Sequence, residues 1–260
     1  MAEKLLVSLE NGVTRITFNQ PARRNALDFE TIRLFADALA QAAHDDTKVV
    51  IVTGAGDSFC AGADLQSLAA TDISQHDVTT SLREGVNPAV LAMSQLPKPV
   101  IARVHGHAAG VGCNFALAAD LVIASEQAFF GQVFSKIALM PDGGGTYLLP
   151  RLVGYHKAFE LMALGDPIPA QEALALGMIN RVVPLAELDA TVNQLAERLV
   201  QAPGLALAKI KAALRQSWQS DLAAMLEFEA VNQGDCFRSA DFKEGVTAFL
   251  QKRKAVFTGR

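Results

Sequence analysis

Two glycine-bearing stretches hold the residues best placed to bind developing charge. Residues 98–120, KPVIARVHGHAAGVGCNFALAAD, combine a buried strand over Val100 to Val104, a turn relieved by Gly106, Gly110 and Gly112, and a short apolar helix to about Ala119. Glycine at a strand-to-helix turn lets another group approach the backbone, and the first N–H groups of a helix have no partner within it. Such a turn suits a phosphate, a carboxylate or the oxyanion of a polarised thioester. A second turn of the same kind lies upstream in GAGDSFCAGADLQSL, residues 54–68, with Asp64 near the helix start. Two converging N–H groups are what an oxyanion hole requires.

Other glycine-loop chemistries fit less well. Gly54-Ala55-Gly56 runs on to Phe59, and Gly110-Val111-Gly112 to Phe115, where a dinucleotide fingerprint has its third glycine, and neither has the acidic partner. No phosphate-binding GxxxxGK[ST] and no GxSxG elbow is present. His105 and His107 form an HxH pair without a third ligand nearby, so both read as structural and no metal site is expected. Cys60, Cys113 and Cys236 are isolated, which argues against disulfides and a thiolate zinc site and points to a reducing cytoplasm.

The elements that position these turns follow an α/β order. Leu5 to Leu9 and Val13 to Phe18 alternate around Asn11-Gly12 as a hairpin, and Asn19 to Leu27 is a loop carrying Arg23 and Arg24. Asp28 caps a helix with Ile32, Phe35, Ala36 and Leu39 on one face, and Lys48 to Thr53 follows as a buried strand. Thr71 to Glu84 is polar and without pattern, a flap before a helix that ends near Leu96. Further short strands at Leu121 to Ala124, Ala128 to Phe130 and Ile179 to Val183 alternate with helices, and beyond Pro184 the pattern is all helix. The chain therefore divides into a spiral of strand-strand-helix units over 1–184 and a helical region over 185–260, whose broad apolar faces pack on the core or on another subunit. Of 260 residues half are hydrophobic, and the net charge of −4 is scattered, so neither nucleic acid nor an anionic membrane is an expected partner. No apolar run is long enough to span a bilayer.

Phe59 to Leu65, His105 to Asp120, and Pro141 to Thr146, taken in this order, resemble the enoyl-CoA hydratase/isomerase, or crotonase, superfamily. The resemblance extends over essentially the whole chain, including Arg24-Asn25-Ala26-Leu27 and the helical tail. It implies a crotonase-like spiral of ββα units, assembled as a homotrimer or hexamer. It also implies an acyl-CoA thioester substrate, with coenzyme A entering as part of that substrate and no separate cofactor. By position the oxyanion donors are the N–H groups of Ala61 and Val111, where the family usually has glycine at the second. The CoA pocket maps onto Ala61, Ala63, Asp64 and Leu65 with the loop before Leu27, Ala26 included. Arg24, and Lys252 and Phe257 of this or a neighbouring subunit, are placed to meet the adenine and phosphates.

Adding water across a double bond uses two acid/base groups. The positions where hydratases of the family carry glutamate fall here on Asn114 and Phe134, neither of which exchanges a proton near neutral pH. The carboxylate that the resemblance places in the site is Asp142 of MPDGGGT, for which capping the following helix is the structural alternative. One base is sufficient to move a double bond, taking a proton from one carbon and returning it to another. The runs at 134–151 and 241–259 look especially like the ring-opening isomerases of phenylacetate breakdown within the family. The expectation is an isomerase in which Asp142 shuttles the proton, Asn114 positions substrate or water, and Phe134 and Val111 shape the pocket with Met140 helping to desolvate Asp142. Hydration with Glu84 as second acid, and acyl-CoA or RNA binding without turnover, are the alternatives.

Overall fold

The computed structural model describes residues 3–69 and 77–259. Strands β1 (Leu5–Glu10) and β2 (Val13–Phe18) pair as the expected antiparallel hairpin, with Asn11 and Gly12 at φ 51° and 79° as a tight two-residue turn demands. β2 then starts a parallel run through β3 (Val49–Gly54), β4 (Val100–Val104), β6 (Leu121–Ser125) and β9 (Arg181–Val183), giving a six-stranded sheet. A small second sheet joins β5 (His107–Ala109), β7 (Phe129–Gly131) and β8 (Ile168–Pro169). Each turn of the spiral sends a long strand to the first sheet and a short segment to the second. The first glycine corner takes part through single bridges, Cys60 pairing with Ala108 and Ala63 with Leu27.

The sheet is filled on both faces. β3 is wholly buried, as a central parallel strand must be. On one face Phe18, Phe35, Phe59 and Phe115 pack as an aromatic cluster with ring centroids 5.1 to 6.4 Å apart. Phe59 immediately precedes the first glycine corner and Phe115 closely follows the second, so the cluster anchors both. On the other face helix Leu185–Val200 lays Leu188, Val192 and Ala196 against Val49, Ile51, Ile101 and Ile123. The first helix beyond Pro184 is thus part of the sheet's packing. Asp28 caps helix Phe29–His44 as its side chain accepts the Thr31 N–H.

The expected flap lies partly outside the described residues. From 78 onward it is helical, as Val78–Ser81, a wide π turn over Leu82–Val86, and Asn87–Gln95. The remaining tail helices, Gly204–Gln216, Leu222–Arg238 and Ala240–Leu250, leave Leu222, Leu226, Phe249 and Leu250 more than half exposed, so these faces do not pack on the core of their own chain. The tail is fastened by Lys211, buried at 9% exposure, which donates to Met93 O and Lys98 O and pairs with Asp120 at 2.7 Å. Burial pushes the Lys211 pKa down and the Asp120 pKa up, each opposed by the other's charge.

Removing one partner of such a pair leaves the other uncompensated. Asp120→Asn, which leaves the buried ammonium without its counter-charge, is expected to cost about 3 kcal/mol, whereas Lys211→Met leaves the Asp120 carboxylate, which water still reaches, and costs less, about 1–2 kcal/mol. Urea denaturation of both variants checks the order.

Candidate active site

The two glycine corners touch backbone to backbone. Gly62 and Gly110 hold φ of 94° and 54°, and a Cβ on Gly62 would lie 2.8 Å from Ala109 O. A Cβ on Gly110 would lie 3.9 Å from Gly62 Cα and 3.8 Å from the tip of the Phe134 ring. Backbone bonds stitch the corners to the small sheet: Cys60 N–H to His107 O and Ala109 N–H to Cys60 O at 2.9 Å, and Gly110 N–H to Gly131 O. Gly112 packs on Cys60 so closely that an added Cβ would stand 2.6 Å from its sulfur.

Hydrogen bonding decides which amides of the first corner remain free. Cys60 N–H goes to His107 O, Ala61 N–H to Arg24 O, and Asp64 N–H to Leu27 O, while Gly62 N–H lies against the Cys60 sulfur. The expected donor, Ala61, is therefore occupied, because the loop through Arg24 pairs alongside it. Ala63 remains, its residue exposed and its N–H without an acceptor among the described residues. At the second corner Val111 opens helix Val111–Leu117, so its N–H has no acceptor in the helix. Ala63 and Val111 each directly follow one of the two touching glycines.

Asp142 stands beside the second corner. A Cβ on the adjoining Gly143 would stand 3.1 Å from Val111 Cγ2 and 3.5 Å from both Asn114 Cβ and Val86 Cγ1. The Asp142 Oδ1 atom is buried without a hydrogen-bond partner, and burial pushes the carboxyl up to about 6. It does not cap the next helix: helix Gly145–Val153 has Gly144 as its N-cap and no side-chain cap bond. Met140, at 73% exposure, is turned outward and does not help desolvate it.

Other expected residues are placed differently. Asn114 is fully buried, its amide donating to Asp142 O at 2.8 Å and its carbonyl accepting from Gln132 at 2.7 Å, so it presents no group to substrate or water. Asp64 is buried as the cap of the short helix Leu65–Ala69. Burial raises its pKa, but bonds from Ser67 and the Arg23 guanidinium outweigh this and hold the carboxyl below its usual range, so its side chain is committed to structure. Ala26 is buried, while Arg24 and Leu65 are exposed at the rim of the first corner. Phe134, 7% exposed, roofs Gly110. Phe257 lies against Gly245 on its own tail, Thr258 and Gly259 donate to Asp241, and Lys252 is exposed. Among the described residues, no hydrogen bond or ion pair joins Lys252 or Phe257 to the corners. Glu84 lines a groove with Phe29, Glu30 and Arg33. His105 accepts from Arg103 and donates to Gly56 O, and His107 stacks on Phe129.

Two touching strand-to-helix corners, each with a free amide, and a carboxyl with one buried, unpartnered oxygen beside the second corner lie together on a ββα spiral. The sequence model of the enoyl-CoA hydratase/isomerase family matches residues 8–260, and the chain belongs to that family. It is 41% identical over 262 residues to a 1,2-epoxyphenylacetyl-CoA isomerase of Escherichia coli, covering all of both chains. It is 39% identical to a crotonyl-CoA hydratase of Syntrophomonas wolfei, with 99% of each chain covered. The crystal structure of an enoyl-CoA hydratase from Bacillus anthracis superposes with a TM-score of 0.94 at 33% identity, over 99% of this chain and 100% of that one. The spiral architecture expected from the sequence is thereby shown. Among the described residues, no helix is long and apolar enough to cross a membrane.

Two outcomes follow from the packing and charge. Gly112→Ala must push against Cys60 backbone and sulfur and is expected to cost about 2 kcal/mol, read as a lowered Tm. Asp142 binds its proton more tightly folded than unfolded, so the stability it contributes is present below about pH 4 and lost as pH rises through about 6. Asp142→Asn should therefore stabilise the fold by about 1–2 kcal/mol at pH 7.5 and by nothing measurable near pH 3.5.

Proposed function

We propose that the protein is an acyl-CoA isomerase that moves a double bond, or opens an epoxide-type ring, in a CoA thioester. The observation that carries this reading is the Asp142 carboxyl, buried and unpartnered at Oδ1, next to the corner that offers the free Val111 N–H. The thioester oxygen accepts from the Ala63 and Val111 N–H groups. Asp142 removes a proton from the carbon skeleton, the C–H electron pair passes into a dienolate held as the oxyanion, and the same carboxyl returns the proton at another carbon. Among the described residues, Asn114 is engaged with the backbone of Asp142 and Phe134 roofs Gly110, so neither supplies a second acid for water addition. Coenzyme A takes part as a piece of the substrate.

Similar proteins named as hydratases and as an isomerase both support the thioester chemistry, and the amide at 114 and the phenyl ring at 134, neither of them an acid, favour isomerisation. The exposed apolar tail faces support self-association as a trimer or hexamer.

Purified protein should interconvert 3-enoyl-CoA and 2-enoyl-CoA, followed by chromatography of the thioesters. Rapid hydration of the 2-enoyl-CoA with no isomerisation would overturn the reading, and thioester affinity without any product would assign a binding role instead. Asp142→Asn should lower kcat at least about a hundredfold while leaving acyl-CoA affinity within about twofold by calorimetry. Turnover in the wild type should fall about tenfold per pH unit below about 6, as the base becomes protonated.

A further inference from the structure

The side chains that hold Asp142 in place are as deeply buried as the core itself. Asn114 is 0% and Gln132 2% exposed. Gln132 Nε2 donates to Asn114 Oδ1 at 2.7 Å, and Asn114 Nδ2 donates in turn to the Asp142 carbonyl at 2.8 Å. Gly145 closes the far side: a Cβ there would stand 2.6 Å from Asn114 Nδ2, so the amide has no room to swing away. Gln132 directly follows Gly131, whose carbonyl accepts the Gly110 N–H. The end of β7 thus grips both the second corner and the side chain that holds Asp142.

We propose that Asn114 and Gln132 are positioning residues that set the distance between the proton-carrying carboxyl of Asp142 and the oxyanion amides. The inference rests on the reading of Asp142 as the base. Asn114 lies three residues after Val111 in the same short helix, so one helical turn carries the oxyanion amide at its start and the anchor of the base at its end. Because both sit on one turn, the hydrogen bond to the Asp142 carbonyl ties the backbone of the loop that bears the base to the helix that starts with the oxyanion amide. A displacement of about 1 Å between base and substrate costs about a hundredfold in rate, so such a link has kinetic weight.

A corollary concerns the amide at position 114. An ionised glutamate at 114 is an acceptor only and cannot donate to the Asp142 carbonyl. The amide that stands here in place of an acid is the one that holds Asp142, so Asn114→Glu is expected to loosen the base rather than to install hydration.

The test uses Gln132→Met and Asn114→Leu, which keep volume and remove the bonds. Two quantities are read: kcat and KM per folded site on 3-enoyl-CoA, and the titration of the Asp142 carboxyl by carbon-13 NMR, assigned with Asp142→Asn. Burial alone raises that titration, and the charged groups on the elements around the loop add nothing to it. Arg83 and Glu84 on the π turn are exposed and the latter faces helix Phe29–His44, Arg151 lies over the Tyr147 ring, Lys136 pairs with Asp166, and helix Val111–Leu117 carries no charge. The clamp predicts kcat lower by about ten- to a hundredfold, KM within about twofold, and an Asp142 titration moved from about 6 toward the ordinary carboxylate range as the carboxyl gains water. Fewer folded sites with unchanged kcat per site and an unmoved titration would overturn it, since that is what a merely structural bond does. Should Asn114→Leu fail to fold, Gln132→Met decides alone. Should the wild type turn over no enoyl-CoA, the assigned activity fails, and the titration still answers whether the clamp exists.

Discussion

The site depends on the approach of two backbones at Gly62 and Gly110. Neither residue could carry a side chain at its present φ without strain, and on Gly62 a side chain would strike the backbone of the facing corner. Contact this close can be kept only if both corners are fixed from behind. Phe59 and Phe115 do so from within one aromatic cluster, Cys60 and Gly112 lock by shape, and the small sheet supplies the hydrogen bonds. The architecture of two sheets sharing each turn of the spiral is what brings these supports to one place.

Against this rigid frame Asp142 is an electrostatic exception. Its carboxyl is placed where burial disfavours charge and no cation or capped amide offsets that. A helix begins three residues later, and the positive end of a helix lowers the pKa of a carboxyl bonded to it. Gly144 takes the capping position, however, and the side chain makes no bond to the helix, so burial prevails. Asp64 shows the opposite outcome within the same molecule: bonded to Ser67 and Arg23, its carboxyl is held below the usual range and stays a structural anion.

Much of this was legible in the residues. The hairpin at Asn11-Gly12, the buried strands, the capped helix after Asp28 and both glycine corners follow from local pattern, and the three motifs together indicated the family. What could not be read was which amide of CAGAD stays free, because that is settled by the loop at Arg24 to Leu27 pairing alongside, a contact across about forty residues. The orientation of Asn114 was hidden for the same reason, since its partners come from β7 and from the Asp142 loop. Strands of two or three residues such as β5 and β8 are too short to carry a period, and β5 resembles part of a turn. Gln132 left a faint signal as a lone amide between the apolar pairs Phe130-Gly131 and Val133-Phe134.

On the proposed function the charge-stabilising hydrogens belong to the main chain, so that ordinary drift at positions 63 and 111 would reshape the surroundings without deleting a donor; only proline removes the hydrogen itself. The valine at 111 is an instance: a branched side chain is present while the amide at the start of the helix keeps its hydrogen. Sequence tolerance in such a site is inverted, with residues nearest the reacting atoms free to vary and the glycines behind them immovable. A scaffold of this kind can change its clientele through side chains alone.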